Sequence, residues 1–333
     1  MQSVRATALL RSRIVLGAIV LGALALLLCA GAARAAEPYP TRPIRLVVGF
    51  LAGGPTDIPA RFIAERLSAK LGQPVVVENR PGAGGMIALN DMLAQPRDGY
   101  SLVLCTYFDA INVLLYKNVA YKVADIAPVT LISKYYYLVS LARAVPADSL
   151  SDFVRYAKAH PGEILYGTVG AGSSQELVSH ELEKATGTKL TKVPYKGSNQ
   201  ITQEMLAGRI HFQVGPPIAV APFYKSGELK LIGVTAPERL KSLPEIPTLL
   251  EQGADLKPYA WLGVCAAAGT PAPVIDRLNR DIRSIVESDE YRDFLEKAGN
   301  IPIGSTPAEF GKIIADTVDE AAPYIREFNM QIE

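Results

Sequence analysis

The stretch VVGFLAGGPTDIPARFIAERL, residues 47–67, runs from an apolar segment through Gly53 and Gly54 into a helical pattern. The first amides of a helix have no intrahelical acceptor and lie at the positive end of its dipole, so they suit a carboxylate or a phosphate. The glycines let this backbone approach a ligand closely. The loop matches neither a Walker sequence nor GxGxxG, and a tight turn with Thr56 or Asp57 as helix cap explains it equally well.

A second glycine-rich loop, GTVGAGSSQ at residues 167–175, again joins an apolar segment to a helical pattern. Ser173 and Glu176 have the spacing of a capping box, which is a structural explanation for the loop. Two such helix starts, one in each of two lobes, would face each other across a cleft and hold an anion. Hydroxyl groups of Thr56, Ser173 and Ser174 would add donors.

Two further loops follow strand-like segments. In VPYKGSNQ, residues 193–200, Tyr195 is a candidate cleft residue, and Lys196 fits a solvated surface lysine better than a ligand. In VGPP, residues 214–217, the prolines are typical of a rigid turn.

Apolar strands alternate with helical patterns along most of the chain, which predicts an α/β fold with parallel-rich sheets and helices on both faces. The helix over 57–71 has apolar residues at 60, 63, 64, 67 and 71. Extended segments at 127–144 and 259–266 fit two crossings between lobes. We therefore predict one lobe from 39–138 and 263–333, a second from 139–262, and a ligand cleft between them.

Residues 1–36 read as a secretory signal peptide, with an arginine-rich start, an apolar segment and an A-x-A cleavage site near Ala35 and Ala36. They hold four of the 34 Lys and Arg residues and none of the 33 Asp and Glu, so the remaining chain has a formal charge of −3. This charge, without a basic tract, makes nucleic acid an unexpected partner. We expect a soluble periplasmic monomer.

Cys105 and Cys265 lie in strand-like apolar segments, which favours buried free thiols, although an exported chain can oxidise them. The three histidines are well separated and there is no CxxC, so neither a metal nor a cofactor is expected. An enzyme is the weaker alternative. Ser174 and His180 are six residues apart on one predicted helix and do not face each other, while Asp57 and Asp109 are explained more simply as cap and loop residues.

The ordered motifs of residues 39–333 resemble the substrate-binding proteins of tripartite tricarboxylate transporters, the Bug-type periplasmic receptors. They are YPTRPIRLVVGF, the GG-x-TD loop, GQPVVVENRPGAGG, Asp98-Gly99-Tyr100, VPYKG, GELKLIGVTAPERLKSLPEIPTLLEQG, AAAGTPAPVIDRLN and GSTPAEF.

This resemblance implies a two-lobed periplasmic binding fold of the type II kind. It also implies a small carboxylate ligand, such as a di- or tricarboxylate, an acidic amino acid or an aromatic acid. By position, it implicates Phe50, Leu51, Gly54, Thr56, Asp57, Thr106, Tyr107, Phe108 and Asp109 in the first lobe, and Gly172, Ser173, Ser174, Gln175, Tyr195 and Gly215 in the second.

The chain departs from the family pattern at four positions. Pro55 lacks an N–H that could bind ligand, Gln175 stands where histidine is frequent, and His211 and Gly215 stand where acidic or amide residues are common. With Tyr107, Phe108 and the tyrosines at 135–137, these changes favour a more apolar ligand. The expected role is delivery of the ligand to a membrane permease, with signalling to a sensor kinase as the alternative.

Overall fold

The computed structural model describes residues 39–170 and 172–331. The predicted signal peptide and its cleavage site near Ala35 and Ala36 lie outside these residues.

The strands are β1 Ile44–Val48, β2 Val75–Asn79, β3 Ser101–Thr106, β4 Ile126–Tyr136, β5 Leu138–Ala142, β6 Leu165–Thr168, β7 Thr191–Pro194, β8 Phe212–Gly215, β9 Leu229–Val234, β10 Tyr259–Ala267 and β11 Ile301–Pro302. The α-helices are α1 Asp57–Leu71, α2 Met86–Leu93, α3 Tyr107–Leu115, α4 Leu150–Ala159, α5 Ser174–Thr186, α6 Ser198–Leu206, α7 Pro217–Lys225, α8 Ala272–Val286, α9 Asp289–Glu296 and α10 Pro307–Glu327, with 3₁₀ turns at Ala83–Gly85 and Val123–Asp125.

The strands form two sheets, so the predicted α/β fold is confirmed. The first has the order β11–β4–β10–β3–β1–β2, and the second has the order β7–β6–β8–β5–β9. Parallel pairs join β1 to β2 and β3 in the first sheet, and β6 to β7 and β8 in the second. The antiparallel pairs are those of β4 with β10 and β11, of β10 with β3, and of β5 with β8 and β9.

The chain crosses between the sheets twice. β4 belongs to the first sheet and is followed after Tyr137 by β5 of the second, and the chain returns at Tyr259, where β10 enters the first sheet. The lobe bounds at 39–138 with 263–333 and at 139–262 stay a prediction, and β10 of the first sheet begins at Tyr259, before residue 263. The C-terminal helices α8 and α10 both pack on β4, as the sequence led us to expect.

Helix α1 shows how the sequence fixes an element next to the cleft. Its bounds are those predicted, and the positions at 60, 63, 64, 67 and 71 are all buried. The helix ends at Gly72, whose φ of 66° is in the left-handed region that glycine adopts without strain. The helix start therefore stays beside the end of β1, where the GGPTD loop connects them.

Cys105 of β3 and Cys265 of β10 form a disulfide, so the expectation of free thiols is wrong. The two strands are antiparallel neighbours, with Cys105 opposite Gly263 and Cys265 opposite Val103. This register brings the two side chains together on one face of the sheet, and their Cα atoms are 5.9 Å apart. Within residues 39–170 and 172–331, no helix is both long and apolar enough to cross a membrane.

Candidate functional site

A cavity that is partly open to solvent lies where loops of the two lobes meet, and the space within it, including its open part, is about 520 Å³. It lies at the carboxyl ends of β1 and β3, the position at which α/β sheets bind ligands. The lining residues are Phe50, Leu51, Gly54, Pro55, Thr56, Thr106, Tyr107, Phe108, Tyr135, Val169, Gln175, Gly197, Ser198, Asn199, Pro216, Ala260, Trp261 and Leu262.

The carboxylate of Asp57 holds the first glycine loop in shape. It accepts hydrogen bonds from the Gly53 N–H, from Arg61 Nε and from Asn79 Nδ2, each at 2.8 Å. Burial alone would raise the pKa of Asp57, but these donors outweigh burial and hold the pKa below its usual value. Asp57 therefore supports the loop from behind and is not part of the cavity lining.

Thr56 is the residue of this loop with an unused polar group. It precedes α1, yet its side chain makes no capping hydrogen bond. The hydroxyl Oγ1 is buried and has no partner among the described residues. Because a buried hydroxyl without a partner is costly, this group is a candidate for hydrogen bonding to a ligand.

In the second lobe, the start of α6 reaches the cavity. Its cap is Gly197, and Ser198 and Asn199 follow in the first turn. Gln175 Nε2 donates to Ser198 Oγ at 3.2 Å, whereas Gln175 Oε1 and Asn199 Oδ1 are buried without partners. A Cβ on Gly197 would lie 3.4 Å from Leu51 Cδ1, so the two lobes are in contact beside the cavity.

The GTVGAGSSQ loop uses most of its described polar groups internally. The Gly172 N–H donates to Glu176 Oε2 at 2.7 Å, and Ser173 Oγ accepts from the Glu176 N–H at 3.2 Å. Ser173 Oγ also pairs with Thr168 Oγ1 at 2.5 Å. Only half of the predicted capping box forms, because the Glu176 carboxylate binds Gly172 rather than Ser173. Of the described residues of this loop, Val169 and Gln175 line the cavity, and Gln175 is the polar one.

Aromatic rings form one wall of the cavity. The ring centroids of Phe50 and Phe108 are 5.5 Å apart, and those of Phe108 and Tyr107 are 6.2 Å apart. Trp261 is fixed by a 3.0 Å hydrogen bond from Nε1 to Thr317 Oγ1. Tyr135 completes the aromatic part of the lining.

The strand-end loop predicted at Thr106–Asp109 is the start of helix α3. The Thr106 N–H donates to Asp109 Oδ2 at 2.7 Å, in the manner of a capping box. Burial raises the pKa of Asp109 to about 7, although the hydrogen bonds from Thr106 lower it. The residues that precede α1, α3 and α6, which are Thr56, Thr106 and Gly197, all line the cavity. The first backbone amides of these three helices therefore lie beside it.

The predicted site residues whose side chains are described fall into two groups. Those that line the cavity are Phe50, Leu51, Gly54, Thr56, Thr106, Tyr107 and Gln175. Asp57, Gly172, Ser173, Tyr195 and Gly215 lie outside the lining. The side chain of Ser174 is outside the described part of the chain. Tyr195 packs against the apolar core of the second lobe, and Gly215 ends β8, where it pairs with Leu138.

Sequence reasoning missed Ser198, Asn199, Pro216 and Trp261 as cavity residues. For Ser198 and Asn199, a usable signal was GSN directly before a helical pattern, which marks a helix start. For Pro216, the signal was its place at the end of a strand. Trp261 had no comparable signal, because a tryptophan in an apolar strand fits any core.

No lining residue in the described part of the chain is Asp, Glu, Lys, Arg or His. An anion in this cavity must therefore be held by backbone N–H groups, hydroxyls and amides, which act as oriented dipoles.

The family model for the receptor of tripartite tricarboxylate transporters matches residues 59–330. The chain belongs to this receptor family. It is 32% identical over 302 residues to protein BugT of Bordetella pertussis, covering 90% of this chain and 93% of BugT.

Two solved structures of other proteins resemble this member of the receptor family. Rpa4515 of R. palustris, solved with adipate, has a TM-score of 0.84 and 32% identity, and the alignment covers 86% of this chain and 97% of Rpa4515. MatC of Rhodopseudomonas palustris, solved with malate, has a TM-score of 0.81 and 26% identity, and the alignment covers 86% of this chain and 100% of MatC. Both align over nearly their full lengths, so they share the two-lobed architecture. Another relative by structure is described as a periplasmic transporter.

Proposed function

We propose that the protein is a periplasmic receptor that closes on a small organic carboxylate and delivers it to a tripartite permease. The observation that carries this proposal is the cavity itself, at which α1, α3 and α6 begin and whose neutral lining includes Thr56, Gln175 and Asn199, each with a buried polar atom that has no partner among the described residues. The unpaired Thr56 hydroxyl and the first amides of α1, α3 and α6 are donors for carboxylate oxygens. The adipate and malate bound by two similar receptors support the same ligand class.

Gln175 Oε1 and Asn199 Oδ1 have a different role, because they accept hydrogen bonds. A carboxylate cannot donate to them. They require an ordered water molecule or a hydroxyl group of the ligand, and either would link the second lobe to a carboxylate held by the first. Ligand binding would thereby join loops of both lobes and favour the closed arrangement.

Catalysis is not part of the proposal. His180 lies between Glu176 and Glu183, and the ring centroids of His180 and Phe328 are 5.4 Å apart. The carboxylates of Glu176, 3.8 Å from Nε2, and of Glu183, 3.0 Å from Nδ1, raise the pKa of His180 to about 9, which disfavours the neutral ring that a general base requires. The predicted signal peptide supports export to the periplasm, with cleavage near Ala35 and Ala36.

The test is calorimetric titration of the mature protein with a panel of mono-, di-, tri- and aromatic carboxylates, after unfolding and refolding to remove any carried ligand. We expect at least one acid to bind with one site per chain and to raise the unfolding temperature. Failure of every acid with a folded protein would overturn the proposal. Uptake of the identified acid in cells with and without the receptor then separates delivery to a permease from signalling to a sensor kinase.

A further inference from the structure

Behind the ligand cavity lies a second and larger space, the rear groove. It has about 1370 Å³ of empty space, open to solvent. Its lining residues are Tyr107, Leu177, Val178, Glu181, Asp255, Leu256, Lys257, Pro258, Tyr259, Trp261, Thr317, Glu320, Ala321, Pro323 and Tyr324.

Tyr107 and Trp261 line both spaces, so they form the partition between them. Trp261 is 2% exposed, is bonded to Thr317 and has an edge contact with Phe310, and it therefore belongs to the core of the first sheet. Tyr107 is only partly buried and packs against the apolar cores of both lobes. Its ring is the removable part of the partition.

The two sides of this partition differ in charge. The ligand cavity is lined by neutral residues, whereas the charged residues that line the rear groove are Glu181, Glu320, Asp255 and Lys257, of which Lys257 pairs with Asp255 at 2.8 Å. The carboxylates of Glu181 and Glu320 therefore leave the groove net acidic. Burial raises the pKa of the Tyr107 hydroxyl, and the nearby carboxylates of Glu181 and Glu320 raise it further. A ligand that extended past Tyr107 would therefore meet negative charge.

We propose that Tyr107 sets the maximal length of the ligand and that the acidic rear groove rejects a second carboxylate extended beyond it. This inference rests on the proposed function, because it assumes a carboxylate held at the helix starts of the cavity. The ring of Tyr107 limits the length of the ligand's carbon chain. Glu181 and Glu320 disfavour a negative charge at the end of the ligand that extends past this ring.

The experiment compares two pairs of acids in calorimetric titrations at pH 8: butyrate and succinate, which are short, and octanoate and suberate, which have eight carbons. Burial raises the pKa of Glu181 to about 7, so pH 8 keeps this side chain ionised. The wild-type protein should bind a short acid at least about tenfold more tightly than either long acid. Tyr107→Ala, which joins the two spaces, should bind octanoate about tenfold more tightly than the wild type does, while suberate stays weak.

Three variants sharpen the result. Tyr107→Phe keeps the ring and should keep the length limit. Tyr324→Ala removes a ring that lines only the rear groove and should leave the wild-type profile unchanged. Glu181→Gln combined with Tyr107→Ala should recover binding of suberate. If Tyr107→Ala loses the circular dichroism signal of the folded protein, Tyr107→Leu, which opens the partition less, is tested in its place.

The proposal is overturned if the wild type binds long and short acids equally well, or if a folded Tyr107→Ala keeps the wild-type length profile. It is also overturned if suberate enters Tyr107→Ala as readily as octanoate. The proposed function fails in a different way, since no acid of the full panel of mono-, di-, tri- and aromatic carboxylates would then bind the wild type.

Discussion

Gly172 of the second lobe lies directly against Leu115 of the first. A Cβ placed on Gly172 would lie 2.2 Å from Leu115 Cδ2, a distance that real side chains do not tolerate. Leu115 ends α3, the helix that begins at the cavity. The glycine at this position is therefore required for the lobes to approach, while its N–H is already bonded to Glu176.

Gly172→Ala should weaken binding of the identified carboxylate by ten- to a hundredfold, because overpacking of this kind costs about 1–3 kcal/mol. Small-angle scattering should show a more open protein at saturating ligand. Gly170→Ala is the matched control. Gly170 also has a positive φ, of 121°, but nothing lies within 4 Å of its Cβ position, so this variant carries backbone strain without the contact. Equal effects of the two variants would contradict the role of the lobe contact.

Thr56→Val should lower ligand affinity about tenfold and leave the free energy of unfolding unchanged or higher. The hydroxyl it removes has no partner in the described part of the chain, so only the bond to ligand is lost. Thr130→Val provides the contrast, since Thr130 Oγ1 accepts from the Ser305 N–H at 3.0 Å and Thr130 does not line the cavity. That variant should lose about 1–3 kcal/mol of stability and keep its affinity. Denaturant unfolding and calorimetry measure both quantities, and a stability loss in Thr56→Val would argue against a ligand-directed hydroxyl.

Reduction of the Cys105–Cys265 bond should lower the free energy of unfolding by about 2–4 kcal/mol, because the bond restricts the unfolded chain over a separation of 160 residues. Both cysteines lie in the first sheet and neither lines the cavity, so ligand affinity of the folded protein should stay the same. Urea unfolding with and without reductant measures the effect. The double variant Cys105→Ser, Cys265→Ser should not respond to reductant, and an affinity loss on reduction would show that the bond also supports the site.

The interaction of His180 with Glu176 and Glu183 should make stability depend on pH. The folded pKa of about 9 lies above the ordinary value of 6.5, so the contribution is fully present below about pH 6.5 and is lost as pH rises through 9. His180→Phe keeps a ring against Phe328 and removes the charge. The difference in unfolding free energy between wild type and this variant should shrink from pH 6 to pH 10. A difference that does not change with pH would contradict the ion pairs.

Local patterns in the sequence were sufficient to predict many elements. The helix at Asp57–Leu71 has the predicted bounds because its apolar spacing and Gly72 are both local signals. The helix at Pro217–Lys225 was missed because two prolines after a strand look like a turn, although Pro217 is favourable at a first helical position. The helix at Tyr107–Leu115 was missed because it follows β3 without any loop residues.

The site could be predicted only in part, because it depends on contacts between residues that are far apart in the sequence. The disulfide depends on the register between β3 and β10, which no local pattern contains. Asp57 has the right type and place for a ligand contact, yet its orientation is decided by Arg61 and Asn79. The importance of Ser198 and Asn199 depends on how the second lobe meets the first, since only that contact brings α6 to the cavity.

The disulfide has a consequence for the integrity of the molecule. All strands of the second sheet lie between Cys105 and Cys265, so the second lobe is enclosed in a covalent ring. A single protease cut in any loop of that lobe opens the ring but releases no fragment. A nicked receptor therefore keeps its full mass until it is reduced, and its halves stay tethered at the strand next to the ligand cavity.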